Sequence, residues 1–415
     1  MANTTLTADI IAKEALAILE NELGWIKRLH RAHESEFDQK VNGYKVGDTI
    51  SIRRPEDGQV RTGATLSTTD VIEGKTTLTI DQQIGSDFQF TSTDLTLKIE
   101  DLSERVIKPR MSNIINYMAN DVLTQMYRGI YNWVGTPGEL VNSFPDFAKA
   151  PERLDIMAVP ANDRVSVLSP SDNWALIGAQ SGMYIQGAAN DAYRDGSLGR
   201  LGGVENFMSQ VVPTHTTGAR GGTPLVNGAN QNVTYDTAKN TWTQTLVIDG
   251  ASNSITGWAK AGDVFTLAGV YMVNPKTKAT TAVLQQFVVT ADADSSGAGA
   301  VSLTISPPII SASGQPHRTV SAAPADNAAL TFVGSAATNY VQNMVFHKNT
   351  MALAVVPMEM PQAAYNGSRQ SYKGFSLRVI PIYDGTNDVS KWRLDMLYGR
   401  KTLDPRLATR LSGTS

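Results

Sequence analysis

The stretch DLSERVIKPRMSNIINYMANDVLTQMYRGI, residues 101–130, decides how the rest of the chain is read. Ile107, Met111, Ile114, Met118, Val122, Met126 and Ile130 recur every three or four positions, which places one apolar stripe along one side of a helix. Asp101 with Glu104 three residues on forms a capping box. The pair Glu100-Asp101 suits a helix start, where carboxylates meet the positive end of the dipole. A helix over about 101–131 would be about 45 Å long at 1.5 Å per residue. Pro109 predicts a kink or division within it, because its ring removes a donor and crowds the preceding turn.

Upstream of this element, Thr7 or Asp9 can cap a first helix. Its apolar residues Ile10, Ile11, Ala15, Leu16, Ile18, Leu19 and Leu23 keep helical spacing up to Gly24. Ile50 and Ile52 then alternate with Thr49 and Ser51. A Pro55-Glu56-Asp57-Gly58 turn follows, and alternation resumes at Thr76, Leu78 and Ile80. These runs are two arms of a long hairpin. The segment between them, about Arg53 to Lys75, is too polar for a core and too long for a tight loop, so it should project from the body. Phe88 and Phe90 share one face of a short strand.

Downstream, residues 155–217 alternate short strands and helices. Arg164–Leu168 reads as a strand, and Ser169-Pro170-Ser171-Asp172 as a helix start. Gly202-Gly203 is expected to separate a helix from a strand around Met208–Val212. From about 218 to 332 the texture becomes Gly, Thr, Asn and Ala with frequent turn signals. Its β-rich runs are Trp242–Ile248, Val264–Leu267, Val283–Thr290 and Val301–Ile305, spaced as in a small sandwich or barrel. Mixed sequence then returns. Thr338–Phe346 reads as helix and Met351–Val356 as extended. Phe375–Ile380 pairs with Trp392, Leu394, Met396 and Tyr398 across a polar loop at Asp384-Gly385. A β module flanked by mixed sequence is the signature of an insertion, with residues before 218 and after 332 completing one domain.

Composition narrows the function classes. A chain of 415 residues that is 41% hydrophobic can bury a sizeable core and divide into two or three domains. Lys+Arg 36 against Asp+Glu 39 gives a formal charge of -3, unsuited to a protein whose whole surface tracks nucleic acid. With no cysteine, disulfides, thiolate metal sites and cysteine nucleophiles are excluded. Charged residues make up 18%, below the typical value of about 25%. No apolar stretch approaches the roughly 20 residues that cross a bilayer, and MANTTLTADI lacks the basic-then-apolar order of a signal peptide.

Motifs that could carry chemistry are weak. His30 and His33 with Glu34 have helical spacing, but a third metal ligand is missing. Asp292-Ala293-Asp294-Ser295-Ser296-Gly297 imitates the start of a calcium loop, yet position twelve is Leu303 where a bidentate Glu is needed, so a hairpin connection is the better reading. Gly74-Lys75-Thr76 ends like a P-loop, but Thr69 replaces the first glycine and a strand follows. Neither a G-x-S-x-G elbow nor a GxGxxG turn from strand to helix occurs. The expectation is a non-enzyme without cofactor or metal.

The order of parts, with Asp101-Leu102-Ser103-Glu104-Arg105 and Pro109, Ala192-Tyr193-Arg194-Asp195-Gly196 leading to Gly202-Gly203-Val204-Glu205-Asn206, and the ending Leu397-Tyr398-Gly399 with Asp404-Pro405, resembles the major capsid (coat) proteins of tailed bacteriophages. Ala261-Gly262-Asp263-Val264-Phe265, Gly269-Val270, Gln285-Gln286-Phe287-Val288-Val289 and Pro324-Ala325-Asp326-Asn327 resemble in particular the short-tailed-phage coat subfamily with a telokin-like insertion domain.

The resemblance covers nearly the whole chain. It implies an α+β fold, the tailed-phage major capsid fold. The expected parts are an N-terminal arm (1–45), an extended-loop hairpin (46–92), a peripheral domain with a long spine helix (93–140), the first part of an axial domain (141–217), an inserted all-β domain (218–332) and completion of the axial and peripheral domains (333–415). It further implies self-assembly into hexamers and pentamers around a scaffolding protein, a portal protein, in some cases a decoration protein, and double-stranded DNA enclosed without sequence specificity. The setting would be the virion, assembled in the bacterial cytoplasm, with no membrane partner. No isopeptide cross-linking pair is evident.

Two groups are candidate intersubunit contacts. Arg53, Arg54, Glu56, Asp57 and Arg61 form a mixed-charge cluster on the hairpin, where ion pairs with a neighbour would give orientation and specificity. Tyr235, Asp236 and Lys239 occupy the stretch where the subfamily carries a loop that meets its counterpart across a two-fold axis. Other classes share parts of this profile. A tail-tube or surface-layer β protein would not need the spine helix, and a carbohydrate-active enzyme would show paired acids with aromatic platforms.

Overall fold

The computed structural model describes residues 8–33, 49–54, 58, 64, 66, 72–91, 103–180, 196, 198–315, 317–361, 366–387 and 389–414. The chain divides into two compact units. One comprises residues 1–51, 77–122 and 351–401; the other comprises 52–76, 123–350 and 402–415.

The first unit is built on a six-stranded sheet. Its path runs Thr49–Arg53, Lys75–Thr91, Val389–Thr402, Phe375–Asp384 and Ser368–Tyr372, with Met351–Val356 also pairing to Val389–Thr402. Phe88 does not lie on a separate short strand. It continues the alternation of Thr76, Leu78 and Ile80 in one strand of 17 residues. The reason is the partner: Val389–Thr402 keeps register with it from Thr91 to Gln82 and, after a one-residue shift between Tyr398 and Gly399, pairs again at Ile80. Phe88 stacks on Trp392 at 6.3 Å between ring centroids. Val379 pairs with Leu394 across the polar Asp384 loop, as the alternation predicts.

The N-terminal helix, Ala8–Glu22, packs on Ser368–Tyr372 and Phe375–Asp384 through Ile11, Ala15 and Leu19, all buried. Its Asp9 accepts a hydrogen bond from Ser368 Oγ at 3.2 Å.

The apolar stripe of the spine is buried throughout. A π-helical turn, Ser103–Ile107, precedes the α-helix Lys108–Gly129. Pro109 thus falls where the π-helical turn passes into the α-helix, so the element changes helical type there and continues without a break. The capping residue Asp101 lies outside the described residues.

The second unit holds a mixed six-stranded sheet in the order Trp133–Val134, Ala408–Leu411, Asn343–His347, Arg164–Leu168, Val204–Met208, Arg200–Leu201. Thr338–Phe346 is therefore not helical: it contributes Asn339–Val341 and the central strand Asn343–His347. All five residues of that strand are buried. A run buried on both faces shows no alternation, and periodicity alone cannot separate it from a buried helix. Gly202 and Gly203, at φ +56° and +80°, turn a hairpin between Arg200–Leu201 and Val204–Met208, so a strand runs into these glycines where a helix was expected, and the strand after them ends at Met208 where one was expected to begin. Helix Phe144–Ile156 is capped by Ser143, whose Oγ accepts from the Asp146 amide at 3.3 Å. Helix Pro170–Gln180 starts at Ser169 as the sequence predicts, with the Asp172 amide 3.2 Å from Ser169 Oγ.

Between Thr214–Thr216 and its antiparallel partner Asn339–Val341 the chain forms a β-barrel. Its strand order is Leu330–Phe332, Val264–Val273, Thr280–Val289, Val301–Ser306, Gln244–Ala251, Gly222–Val226. The Leu225–Ala329 bridge and the hydrogen bonds Val226 N to Ala328 O and Asn327 N to Val226 O close the sheet on itself. Closure removes the open edges that would otherwise invite pairing. Leu246, Ile248, Phe265, Leu267, Phe287, Leu303 and Ile305 alternate inward around the buried Trp258.

Candidate assembly interface

The stem of the long hairpin emerges where Thr49–Arg53 pairs with Lys75–Thr91. The Arg54 amide donates to Gly74 O at 2.8 Å. Arg53 reaches across to Glu73 at 2.8 Å, with its side chain 79% exposed. At such exposure the pair contributes about 0–1 kcal/mol and leaves the guanidinium available to a second partner. Leu66 stands 76% exposed. Glu56, Asp57 and Arg61 lie outside the described residues.

The second candidate group sits on a short helix, Tyr235–Ala238, leading into Trp242. The sequence reading put Trp242 at the head of a strand; instead it adopts φ +56° two residues before Gln244–Ala251 begins. Asp236 and Lys239 pair within the chain at 2.6 Å, one turn apart, and the Asp236 side chain is 68% exposed. Tyr235 is 4% exposed. Its ring stacks on His317 at 3.6 Å and 12° and meets Trp242 edge-on at 6.2 Å.

These two groups, far apart in sequence, adjoin. A Cβ on Gly74 would lie 2.5 Å from the Lys239 carbonyl oxygen and 2.9 Å from the Tyr235 hydroxyl. The Lys75 amide donates to Asn240 Oδ1 at 3.3 Å, and the Arg54 guanidinium lies 5.3 Å from the Trp242 ring centroid. Ile72 and Val233 pack against the cluster of Tyr235, Trp242 and Ile310. Burial pushes Arg54 below its ordinary value, opposed by the charge of Asp404. Of the residues around this seat, Gly74, Asn240 and His317 were not candidates; the glycine in Gly74-Lys75-Thr76 was the only local signal.

A second constellation holds the base of the barrel. Asp263, fully buried, accepts from His215 Nε2 (2.9 Å), Arg220 Nη2 (2.9 Å), the Gly218 amide (3.0 Å) and the Lys260 amide (3.0 Å). Burial alone would raise its carboxyl. The His215 hydrogen bond, the Arg220 charge and the two amides outweigh that and hold it below the usual carboxylate range. His215 is pushed down by burial, against the pull of Asp263. The buried Arg410 donates to Gly262 O (2.7 Å), Ile130 O (2.9 Å), Gln342 Oε1 (3.2 Å) and Tyr127 O. It thereby joins the end of the spine helix, the C-terminal strand and the barrel. Burial lowers its pKa to about 9, which leaves it charged at neutral pH.

The family model described as P22 coat protein, gene protein 5, matches residues 2–413. The chain belongs to this coat protein family. It is a self-assembling major capsid protein of a tailed phage and forms the icosahedral shell of the virion. A major capsid protein from Acyrthosiphon pisum secondary endosymbiont phage 1 is 22% identical over 380 residues, 88% of this chain and 89% of its own. Among solved structures, one from Mycobacterium phage Che8 aligns with a TM-score of 0.47 and 12% identity, over 93% of this chain and 89% of that one. The CUS-3 coat protein I-domain is 30% identical with a TM-score of 0.20, over 28% of this chain and 98% of its own.

The remaining motifs fit this coat protein as structure. Asp292 and Asp294 do not face a common centre: Asp292 Oδ1 accepts from the Ala261 amide (2.8 Å) and Asp294 Oδ1 from the Gly257 amide (2.6 Å), pinning one barrel loop to another. His30 and His33 lie ring to ring at 5.1 Å. Among the described residues, no group of three or more His, Cys, Asp or Glu side chains is placed to hold a metal.

Proposed function

We propose that this coat protein is of the short-tailed-phage type, with the β-barrel of about 218–332 as a telokin-like inserted domain. Its subunits assemble as hexamers and pentamers around a scaffolding protein in the bacterial cytoplasm. The shell joins a portal protein, in some cases takes a decoration protein, and encloses double-stranded DNA without sequence specificity. The family match across residues 2–413 carries this reading.

Within it, the hairpin of about 53–75 overlaps a neighbouring subunit through Arg53, Arg54, Glu56, Asp57 and Arg61. The exposed Leu66 and the largely solvated Arg53–Glu73 pair support that role, since an apolar side chain and a mixed-charge pair held in solvent suit a docking surface. Asp236 and Lys239 contribute a two-fold contact, and Tyr235, buried against His317 and Trp242, holds the short helix that presents them. The exposure of Asp236 supports an exchange of the Asp236–Lys239 pair between two subunits, each substitution then acting twice.

Electron microscopy of the purified chain with and without co-expressed scaffold tests the assembly reading: shells or capsomer rings are expected. Deleting residues 55–71 should abolish regular shells, and normal particles from that deletion would refute the overlapping role.

A further inference from the structure

The hairpin stem leaves its sheet as two strands, and a two-stranded ribbon is marginal unless a further surface supports it. That surface is supplied by the chain's own barrel. The Trp242 ring lies beneath Arg54, Asn240 Oδ1 takes the Lys75 amide, and the Lys239 carbonyl closes on Gly74. The contact at Gly74 needs the absence of a side chain, because a Cβ there would sit 2.5 Å from backbone oxygen. On the other side, the turn is held rigid by the Tyr235–His317 stack and by Trp242 in the left-handed region.

We infer that Gly74, Asn240 and Trp242 are positioning residues for assembly. The turn at 235–242 is a seat that fixes the hairpin stem on its own subunit and sets the direction in which the hairpin departs toward its neighbour. The inference rests on the reading of the hairpin as an intersubunit arm. Its leverage follows from length: a chain of residues 55–71 can reach at most about 30 Å out and back, so a tilt of roughly 10° at the stem moves the tip by about 5 Å. A displacement of that size takes a docking surface out of register with its partner.

The test compares Gly74→Val, Asn240→Ala and Trp242→Ala in the full-length, unassembled chain by hydrogen exchange, followed by assembly with scaffold. The expected result is at least about tenfold faster exchange at the Arg54 and Lys75 amides, unchanged exchange at barrel amides such as Val289 and Ala293, and a severalfold lower yield of regular shells. A residue with a merely structural role would also move the barrel amides. Asn240→Ala, which removes a single hydrogen bond, keeps the test decisive if Trp242→Ala loosens the barrel. Unchanged stem exchange in both Gly74→Val and Asn240→Ala overturns the seat. Faster stem exchange with wild-type shell yield overturns the positioning role while leaving the capsid reading intact.

Discussion

Asp263→Ala removes a fully buried carboxylate and puts no acceptor in its place. Four donors lose their partner: His215 Nε2, Arg220 Nη2 and the amides of Gly218 and Lys260. Arg220 keeps the Gly334 carbonyl at 3.2 Å and the Phe332 ring at 4.4 Å, so its charge is not stranded completely. Removing one partner of a buried ion pair costs about 3–5 kcal/mol, and the retained Arg220 contacts argue for roughly 4 kcal/mol. That corresponds to nearly three orders of magnitude in local opening of the barrel's base. The assay is hydrogen exchange at Thr217, Gly218 and Ala337, whose amides bond Thr338 O, Asp263 and Gly218 O respectively. Asp263→Asn keeps one acceptor oxygen but turns an amide toward donors, so it should fall between wild type and alanine. Protection reduced less than about tenfold in the alanine variant would refute the reasoning. The pH dependence has a definite sign. Because its hydrogen bonds hold Asp263 below 3.8, its contribution is complete above that value and is lost as pH falls through the lower folded pKa. The alanine variant should therefore lose less stability in acid than the wild type.

Arg410→Met should cost at least about 3 kcal/mol, since several hydrogen bonds to a charged donor at about 1.5–3 kcal/mol each are lost from a buried site; a loss of unfolding free energy in urea of less than about 1 kcal/mol would contradict the bridging role. Ser169→Ala should destabilise by about 0.5–2 kcal/mol through loss of the cap on Pro170–Gln180, read as faster exchange at the Asp172 and Asn173 amides. His215 and His347 are both held below 6.5, chiefly by burial. The unfolded chain thus binds protons first on acidification, and the urea midpoint should be lower at pH 5 than at pH 7.5, less so in His215→Gln; equal midpoints would count against this account. A fragment spanning 218–332 should give dispersed amide resonances and a cooperative melt, because the barrel closes on its own core; a disordered spectrum would oppose the inserted-domain boundary.

Local periodicity made much of the fold legible. The spine stripe from Ile107 to Met126 and the β-rich runs after residue 218 carry a period of 3.6 or 2 or a dense turn signal. Arg164–Leu168 and Met351–Val356 are buried along their whole length and were legible instead from Val165 and Val167 in one and the unbroken apolar run of the other. Asn343–His347, buried in the same way, escaped because only Val345 of its five residues is β-branched, so nothing local separated a strand from a buried helix. The length of the strand Lys75–Thr91 was set by its partner Val389–Thr402, some three hundred residues away.

Of the candidate contacts, the mixed charges of the hairpin and of Asp236 with Lys239 were visible as composition. Their proximity was not, because the Lys75–Asn240 bond, the Arg54–Trp242 contact and the closure of Lys239 on Gly74 join segments more than 150 residues apart. The same holds for Asp263, which sequence reasoning quoted only within the motif 261–265, and for Arg410, which it did not single out. A buried charge is tolerated only where several distant groups converge to satisfy it. Residue order determined which segments could be helix, strand or turn; only the packed tertiary structure decided which backbone amides and carbonyls would meet each charge, because those partners are brought together by the fold and carry no local signature.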